Sequence, residues 1–279
     1  MSGLAEPHAG VLVDRFVTGN RAKELRERAR HLPQLTLDER EAADFELIAT
    51  GAASPLAGFL GRRDYASVLQ KLTLADGTPW PVPFTLALSI FQRAAVAEHE
   101  AAALRDAEGQ LRGIIEVTDA FVRDAREEAV ALYGTDDPAH PGVAYLLGRP
   151  TELIGGPISA LAVPAASGRS RACAPREVRA LARERRWSGL AGLATAQGMG
   201  CLEPLGSTKR ALFSVPPVAI RHSPGRDVVL QAIVLKNHGA REVFLEYERG
   251  DWLGVSQRIS PEDLGLKPIW TVTGKEREA

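Results

Sequence analysis

The sequence predicts a mixed α+β / α/β chain in two units: a compact β-barrel with attached helices, then an α/β unit with parallel strands. Three observations carry that expectation. Short strand-like runs recur between residues 82 and 117, punctuated by the hairpin-type pairs Asp76-Gly77 and Glu108-Gly109. The stretch 163–175 (VPAASGRSRACAP) is rich in Pro, Ser, Gly and Ala and has no apolar period, which marks a linker. Beyond it helical and strand patterns alternate, the order that builds a parallel sheet. The expected units are 1–165 and 166–279, and 279 residues suffice for both.

In chain order, Val11-Leu12-Val13 reads as an early strand or turn. Residues 20–31 read as a charged helix capped by Asn20. Leu35-Thr-Leu-Asp38 leads into a second helix, with Phe45, Ile48 and Ala49 on one side, that stops at Gly51. A turn cluster at 51–58 precedes a helix from Arg63 to about Lys71. Strand-like runs follow at Val82–Leu88, Ala94–Ala97, Ala102–Arg105 and Leu111–Val117, then a helix at 123–133 and a loop at 134–142. No element is read over 152–161. After the linker come a helix at 175–187, a strand at Gly189–Ala194, a glycine-rich loop, a helix at Arg226–Asn237 and a strand at Glu242–Tyr247.

Composition excludes several classes. Hydrophobic content of 45% and charged content of 25% suit a packed globular chain. A net charge of −1 gives no general pull towards nucleic acid or an anionic membrane, so anions would have to be held by a local site. Cys173 and Cys201 form neither a metal-type spacing nor a disulfide framework, which suits a reducing compartment. No basic segment with an apolar core opens the chain, and no apolar run approaches the ~20 residues of a membrane helix. A cytoplasmic location is expected.

Four ordered segments resemble the ATP sulfurylase (sulfate adenylyltransferase) family. They are Pro7-His8-Ala9-Gly10 with Leu12-Val13-Asp14-Arg15; Asp44 to Leu60; Asp64-Tyr65 with Leu74 to Trp80; and Tyr133 to Val143. The likeness continues through Glu177–Trp187 and resumes at Arg221–Gly239, where Lys236-Asn237-His238-Gly239 is close to the family's helix-ending motif. The resemblance implies a PUA-like β-barrel followed by a Rossmann-like nucleotidyltransferase domain. Here that second domain looks reduced, lacking a block between the two matching stretches. The family joins sulfate to the α-phosphorus of ATP and releases pyrophosphate, so ATP or adenylyl sulfate is the ligand the resemblance implies.

The family's site motif is Gln-Thr-Arg-Asn-Pro, with a histidine two residues later and another three further on. In this sequence the glutamine and arginine positions hold Ala194 and Ala196, and the histidine positions hold Gly200 and Glu203. Thr195 is unchanged, and Gln197 keeps an amide where asparagine stands. A later Gly-Arg-Asp-His motif meets Glu246-Tyr247-Glu248-Arg249, where only the carboxylate at Glu248 survives. The arginine of the family's Gly-Pro-Arg-Glu turn is kept as Arg226. Thr195, Gln197, Arg226 and Glu248 are therefore the candidate residual ligand-binding residues. Losing one transition-state donor costs on the order of 10²–10³ in rate, and four are missing together.

Other features are weaker. Gly198-Met-Gly200 lacks the third glycine of a dinucleotide fingerprint and reads as a tight strand-to-helix turn whose backbone N–H groups could meet a phosphate. Arg176, Arg179, Arg183, Arg185 and Arg186 read as a solvated helix face balanced by Glu177 and Glu184. His8, His31, His99, His140, His222 and His238 show no i, i+4 pair, so a metal site has no support. His222 and His238 are placed beside the nucleotide site, as helix caps. Cys201 has no base near it in sequence, which leaves a nucleophilic role unsupported.

Three functions follow from these readings: a non-catalytic subunit of sulfate activation or assimilation that binds a ligand or partner; an active sulfate adenylyltransferase with an atypical site; and, least supported, an RNA-binding PUA-like module. Parallel strands need cover on both faces, and the reduced second unit supplies few helices. Self-association or a hetero-complex through that unit is therefore expected.

Overall fold

The computed structural model describes residues 3–162, 173–187, 189–195, 198–202, 212–214, 218–247 and 258–272. The first sheet has eight strands. In order, the elements are β1 (Phe16–Val17), α1 (Gly19–Ala29), β2 (Gln34–Thr36), α2 (Glu39–Thr50), β3 (Gly58–Phe59), α3 (Arg62–Lys71), β4 (Leu86–Leu88) and α4 (Ile90–His99). Then come β5 (Ala101–Arg105), β6 (Leu111–Glu116), β7 (Asp119–Val122), α5 (Ala125–Tyr133), α6 (Pro141–Leu147) and β8 (Glu152–Leu161). β8 is the hub, pairing with β1, β3, β4, β6 and β7 along its ten residues. It carries the sheet round because Gly155 and Gly156 let other backbones come close: a Cβ on Gly156 would sit 1.9 Å from the Glu116 carbonyl oxygen.

Three expectations need correction here. Ala94–Ala97 is not a strand but the middle of α4, which a Ser89/Gln92 capping box starts. Alanine favours helix, and the cap decides. The segment 152–161, given no element from sequence, is the central strand, because its Gly-Gly-Pro core resembles a turn when read alone. α1 also begins earlier than read, with Thr18 rather than Asn20 in the cap position.

The second sheet has five strands in the order β11-β10-β9-β12-β13. Its elements are α7 (Pro175–Glu184), β9 (Ala191–Thr195), β10 (Gly198–Leu202), β11 (Leu212–Ser214), α8 (Pro224–His238), β12 (Glu242–Tyr247) and β13 (Lys267–Val272). β9, β12 and β13 run parallel, while β10 and β11 add an antiparallel edge. α8 packs on β12, and Val229, Ile233 and Val234 of the helix and Val243 and Leu245 of the strand are all fully buried in one core. A Cβ on Gly192 would meet the Leu235 side chain at 2.9 Å, so that face of β9 lies directly under α8.

The two sheets share one continuous apolar core running from Leu4 to Leu266. Buried polar contacts fasten the junction. Asn237 accepts from the His8 N–H at 2.8 Å and donates to the carbonyls of Ala52 and Ser54 at 2.9 and 3.1 Å. Arg221 forms a buried ion pair with Asp44 on α2. Arg179 is not on a solvated face: it is buried and donates to the carbonyls of Lys236 and Asn237, which the last turn of α8 leaves without helical partners. The linker stretch 163–172 lies outside the described residues.

Candidate functional site

In an open α/β sheet, ligands meet the carboxyl ends of parallel strands. Register sets that end here. Leu245 pairs with Ala194, and Glu246 and Tyr247 pair with Thr271 and Val272. Thr195 closes β9 and Tyr247 closes β12 on the same edge. Gln197 and Glu248, two residues and one residue after these strand ends in sequence, lie outside the described residues.

α8 runs back along the sheet, so its first turn lies at the carboxyl end and its last at the amino end. Arg226, in the first turn, is on the right edge but faces elsewhere. Its guanidinium is buried and donates to the Pro81 carbonyl at 2.8 Å and the Ala131 carbonyl at 2.7 Å, both from the first unit. Burial, helped by the charge of Arg258, lowers its pKa to about 10. Arg226 thus fastens the two units together. His238 must be moved from the site region: it ends α8 at the opposite edge, fully buried, with burial holding its pKa at about 4. His222 does precede α8 at the carboxyl end and is exposed.

Gly198–Leu202 is not a strand-to-helix turn. It is strand β10, folded back on β9 with Gly198 opposite Thr195 and Gly200 opposite Leu193. Met199, Gly200 and Cys201 are all buried, and the pairing of the segment with β9 and β11 makes it a strand. Its backbone groups are laddered between β9 and β11, so no helix N-terminus stands here to cradle phosphate. Ala194 is buried opposite Met199 and shares the Gly192 face under α8. Cys201 is fully buried, and burial pushes its thiol up to about 12, which suits packing rather than nucleophilic chemistry.

Sequence reasoning did not single out a second polar cluster, beside the junction. Glu41 accepts from the Asp38 and Ala87 N–H groups at 3.0 and 3.1 Å and pairs with Arg149. Arg149 also pairs with Asp38 at 2.8 Å, and the Tyr145 hydroxyl donates to Asp38. Glu41, Tyr145 and Arg149, with Asp44, Arg123, Tyr133 and Arg221, line a cavity of about 30 Å³, room for a water. The capping-box spacing Asp38-x-x-Glu41 was the only signal in sequence.

Burial pushes the Glu41 carboxyl up to about 7, with Arg149 pulling the other way. Its folded value lies above its free value of 4.5. Its contribution is therefore full below about pH 4.5 and lost as pH rises through about 7. Burial moves Asp44 and Asp227 the same way and moves His8 and His238 the other, so a single substitution is needed to isolate Glu41. The Tm of Glu41→Gln minus that of the wild type is expected to rise by a few degrees between about pH 5 and pH 8. A difference that stays constant would rule out Glu41 as the titrating group.

Among the described residues no cluster of His, Cys, Asp or Glu could hold a metal ion, and no helix is long and apolar enough to cross a membrane. The fold joins a first unit built round an eight-stranded sheet to an α/β unit whose three parallel strands carry an antiparallel edge. Residues 5–163 match the family description "PUA-like domain". The sulfate adenylyltransferase of Symbiobacterium thermophilum is 34% identical over 97% of this chain and 82% of its own length. That of Synechococcus sp. is 33% identical over 94% and 80%. The chain belongs to the sulfate adenylyltransferase family. The first alignment spans 321 positions, more than the 279 residues present, so that relative carries segments this chain lacks. A solved structure titled "Hexameric APS kinase from Thiobacillus denitrificans" superposes with a TM-score of 0.67 at 25% identity, covering 96% of this chain. The chain spans 57% of that protein.

Proposed function

We infer that this chain is a sulfate adenylyltransferase relative that has lost adenylyl transfer and serves as a non-catalytic subunit in sulfate activation, binding a ligand or a partner. One observation carries the reading: the hairpin β9–β10 stands where the family places its reacting loop. Ala194 and Gly200 lie within its ladder, and the backbone donors of β10 are engaged by neighbouring strands. Transfer to sulfate needs donors and cations around several anionic oxygens. The residues at this edge supply too few, and the retained arginine, Arg226, is spent on two carbonyls. ATP or adenylyl sulfate therefore fits at most as a bound ligand contacted by Thr195, Gln197 and Glu248. The reducing, cytoplasmic setting and the division into units 1–165 and 166–279 belong to the same reading.

A second reading, an active enzyme with an unusual site, is favoured by the 33–34% identity to relatives named as sulfate adenylyltransferases. Pyrophosphate release from ATP separates the two. No sulfate-dependent release is expected from the purified chain, while added active sulfurylase gives its usual rate. Release that stops when sulfate is omitted would establish the second reading.

A further inference from the structure

The small cavity beside the junction carries more cations than acids on its walls. Arg40, Arg123, Arg149 and Arg221 line it, against Glu41, Asp44 and Glu128. Each acid is already engaged. Asp44 pairs with Arg221, and Glu128 accepts from Arg123 at 2.7 Å and from the Tyr65 hydroxyl at 3.0 Å. Glu41 accepts from Arg149 and from two backbone N–H groups, and Arg149 is held by Asp38 as well. Burial pushes the Glu41 carboxyl up to about 7, so near neutral pH part of its negative charge is missing from the walls.

Arg40 is the cation without an acid. Among the described residues it forms no ion pair; it stacks on Tyr145, 3.7 Å from the ring centre, and reaches the Ile220 carbonyl at 3.4 Å. Its charge also reaches Asp227, but that carboxylate lies outside the walls and has one oxygen engaged by the N–H groups of Arg221 and Ser223. Two further donors belong to the same walls. The Tyr133 hydroxyl and the Arg123 Nε–H are buried and have no hydrogen-bond partner among the described residues. The Arg123 side chain is only 2% exposed. Buried donors in native proteins find acceptors, either in the chain or in a bound species.

The occupant suited to these walls accepts hydrogen bonds, carries negative charge and is small. Water accepts too, but it brings two donors of its own and leaves Arg40 uncompensated. We propose that the cavity binds a small monovalent anion of the halide class, chloride foremost, held by Arg40, Arg123 and the Tyr133 hydroxyl. A volume of about 30 Å³ takes one atom-sized occupant and excludes a tetrahedral oxyanion such as sulfate or phosphate. The site differs in chemistry from the ligand considered at the strand edge, and it stands whether or not adenylyl transfer survives. Arg40 and Tyr133 come from α2 and α5, and Arg221 on the same walls comes from the second unit. A bound anion therefore stabilises the folded junction by mass action.

The test is thermal unfolding of the full chain near neutral pH, at constant ionic strength, with chloride exchanged stepwise for gluconate. The wild-type Tm is expected to rise by several degrees with chloride, following the logarithm of its concentration as binding to one site requires. Arg40→Gln and Tyr133→Phe are expected to fold, because Arg40 is half-buried and phenylalanine keeps the ring. Each is expected to weaken the apparent chloride affinity at least roughly tenfold. Crystals of the chain grown with bromide are expected to show an anomalous-scattering peak in the cavity, within hydrogen-bond reach of the Tyr133 hydroxyl. A Tm indifferent to the exchange overturns the proposal. So does a chloride response that both variants keep in full, or a cavity peak with no anomalous signal, which marks water.

Discussion

Arg221→Ala is expected to lower the Tm by about 10 °C, because it strands a buried charge. The Arg221 and Asp44 side chains are 4% and 3% exposed. Burial pushes the Asp44 carboxyl upward, with the charge and hydrogen bond of Arg221 and then the charge of Arg40 pulling the other way. Removing one member of a buried pair costs about 3–5 kcal/mol. For a chain of this size each kcal/mol is worth about 2–4 °C. The double variant Asp44→Leu/Arg221→Met removes both charges and is expected to recover much of the loss. Thermal unfolding of the three proteins checks this. A single variant within about 1 kcal/mol of wild type would mean that the junction is not held by this pair.

Gly156→Ala is expected to abolish folding or to cost more than any surface change in the first sheet. Gly156 sits at φ +151°, and an added Cβ would lie 1.9 Å from the Glu116 carbonyl oxygen, which is backbone and cannot swing away. The same strand position faces β3, where a Cβ on Gly58 would meet the Gly156 carbonyl oxygen at 1.8 Å. Gly134→Ala is the matched control. It is also left-handed, at φ +72°, but open space surrounds it, so it should cost only about 1–2 kcal/mol. Equal effects at the two glycines would show that conformation, not close approach, governs β8.

These two positions also show what sequence could and could not reveal. α8 and β12 were legible within two residues because each is a continuous apolar segment with clear ends: Pro224 opens α8, Gly239 closes it, and Glu242 to Tyr247 follow at once. β8 was not, since Gly155-Gly156-Pro157 breaks the alternation that marks a strand. Its need for glycine comes from other backbones crossing it, which no local pattern encodes. α4 was misread for the reverse reason. Ala94–Ala97 is apolar enough for a strand, and the deciding signal was the Ser89/Gln92 cap outside it.

At the candidate site, sequence located the strand ends correctly but not the partners of their neighbours. Arg226 was identifiable as a retained cation, yet its engagement by Pro81 and Ala131 depends on contacts 145 and 95 residues away. The pairing of Asp44 with Arg221 is of the same kind, 177 residues apart. The hairpin β9–β10 was hidden because the glycines of Gly198-Met-Gly200 suit a tight strand-to-helix turn when read alone, whereas only the ladder to β9 and β11 makes the segment a strand.

The loss of adenylyl transfer is the central claim, and the reverse reaction tests it most directly. A catalyst that cannot stabilise the transition state fails in both directions, so adenylyl sulfate and pyrophosphate should not be converted to ATP and sulfate. The full chain, at high concentration, would be given both substrates and the ATP formed read by luminescence. The expected result is a signal equal to the protein-free blank, with Ala194→Gln/Ala196→Arg no better, since β10 still closes the edge. ATP formation that scales with protein and requires both substrates would contradict the account.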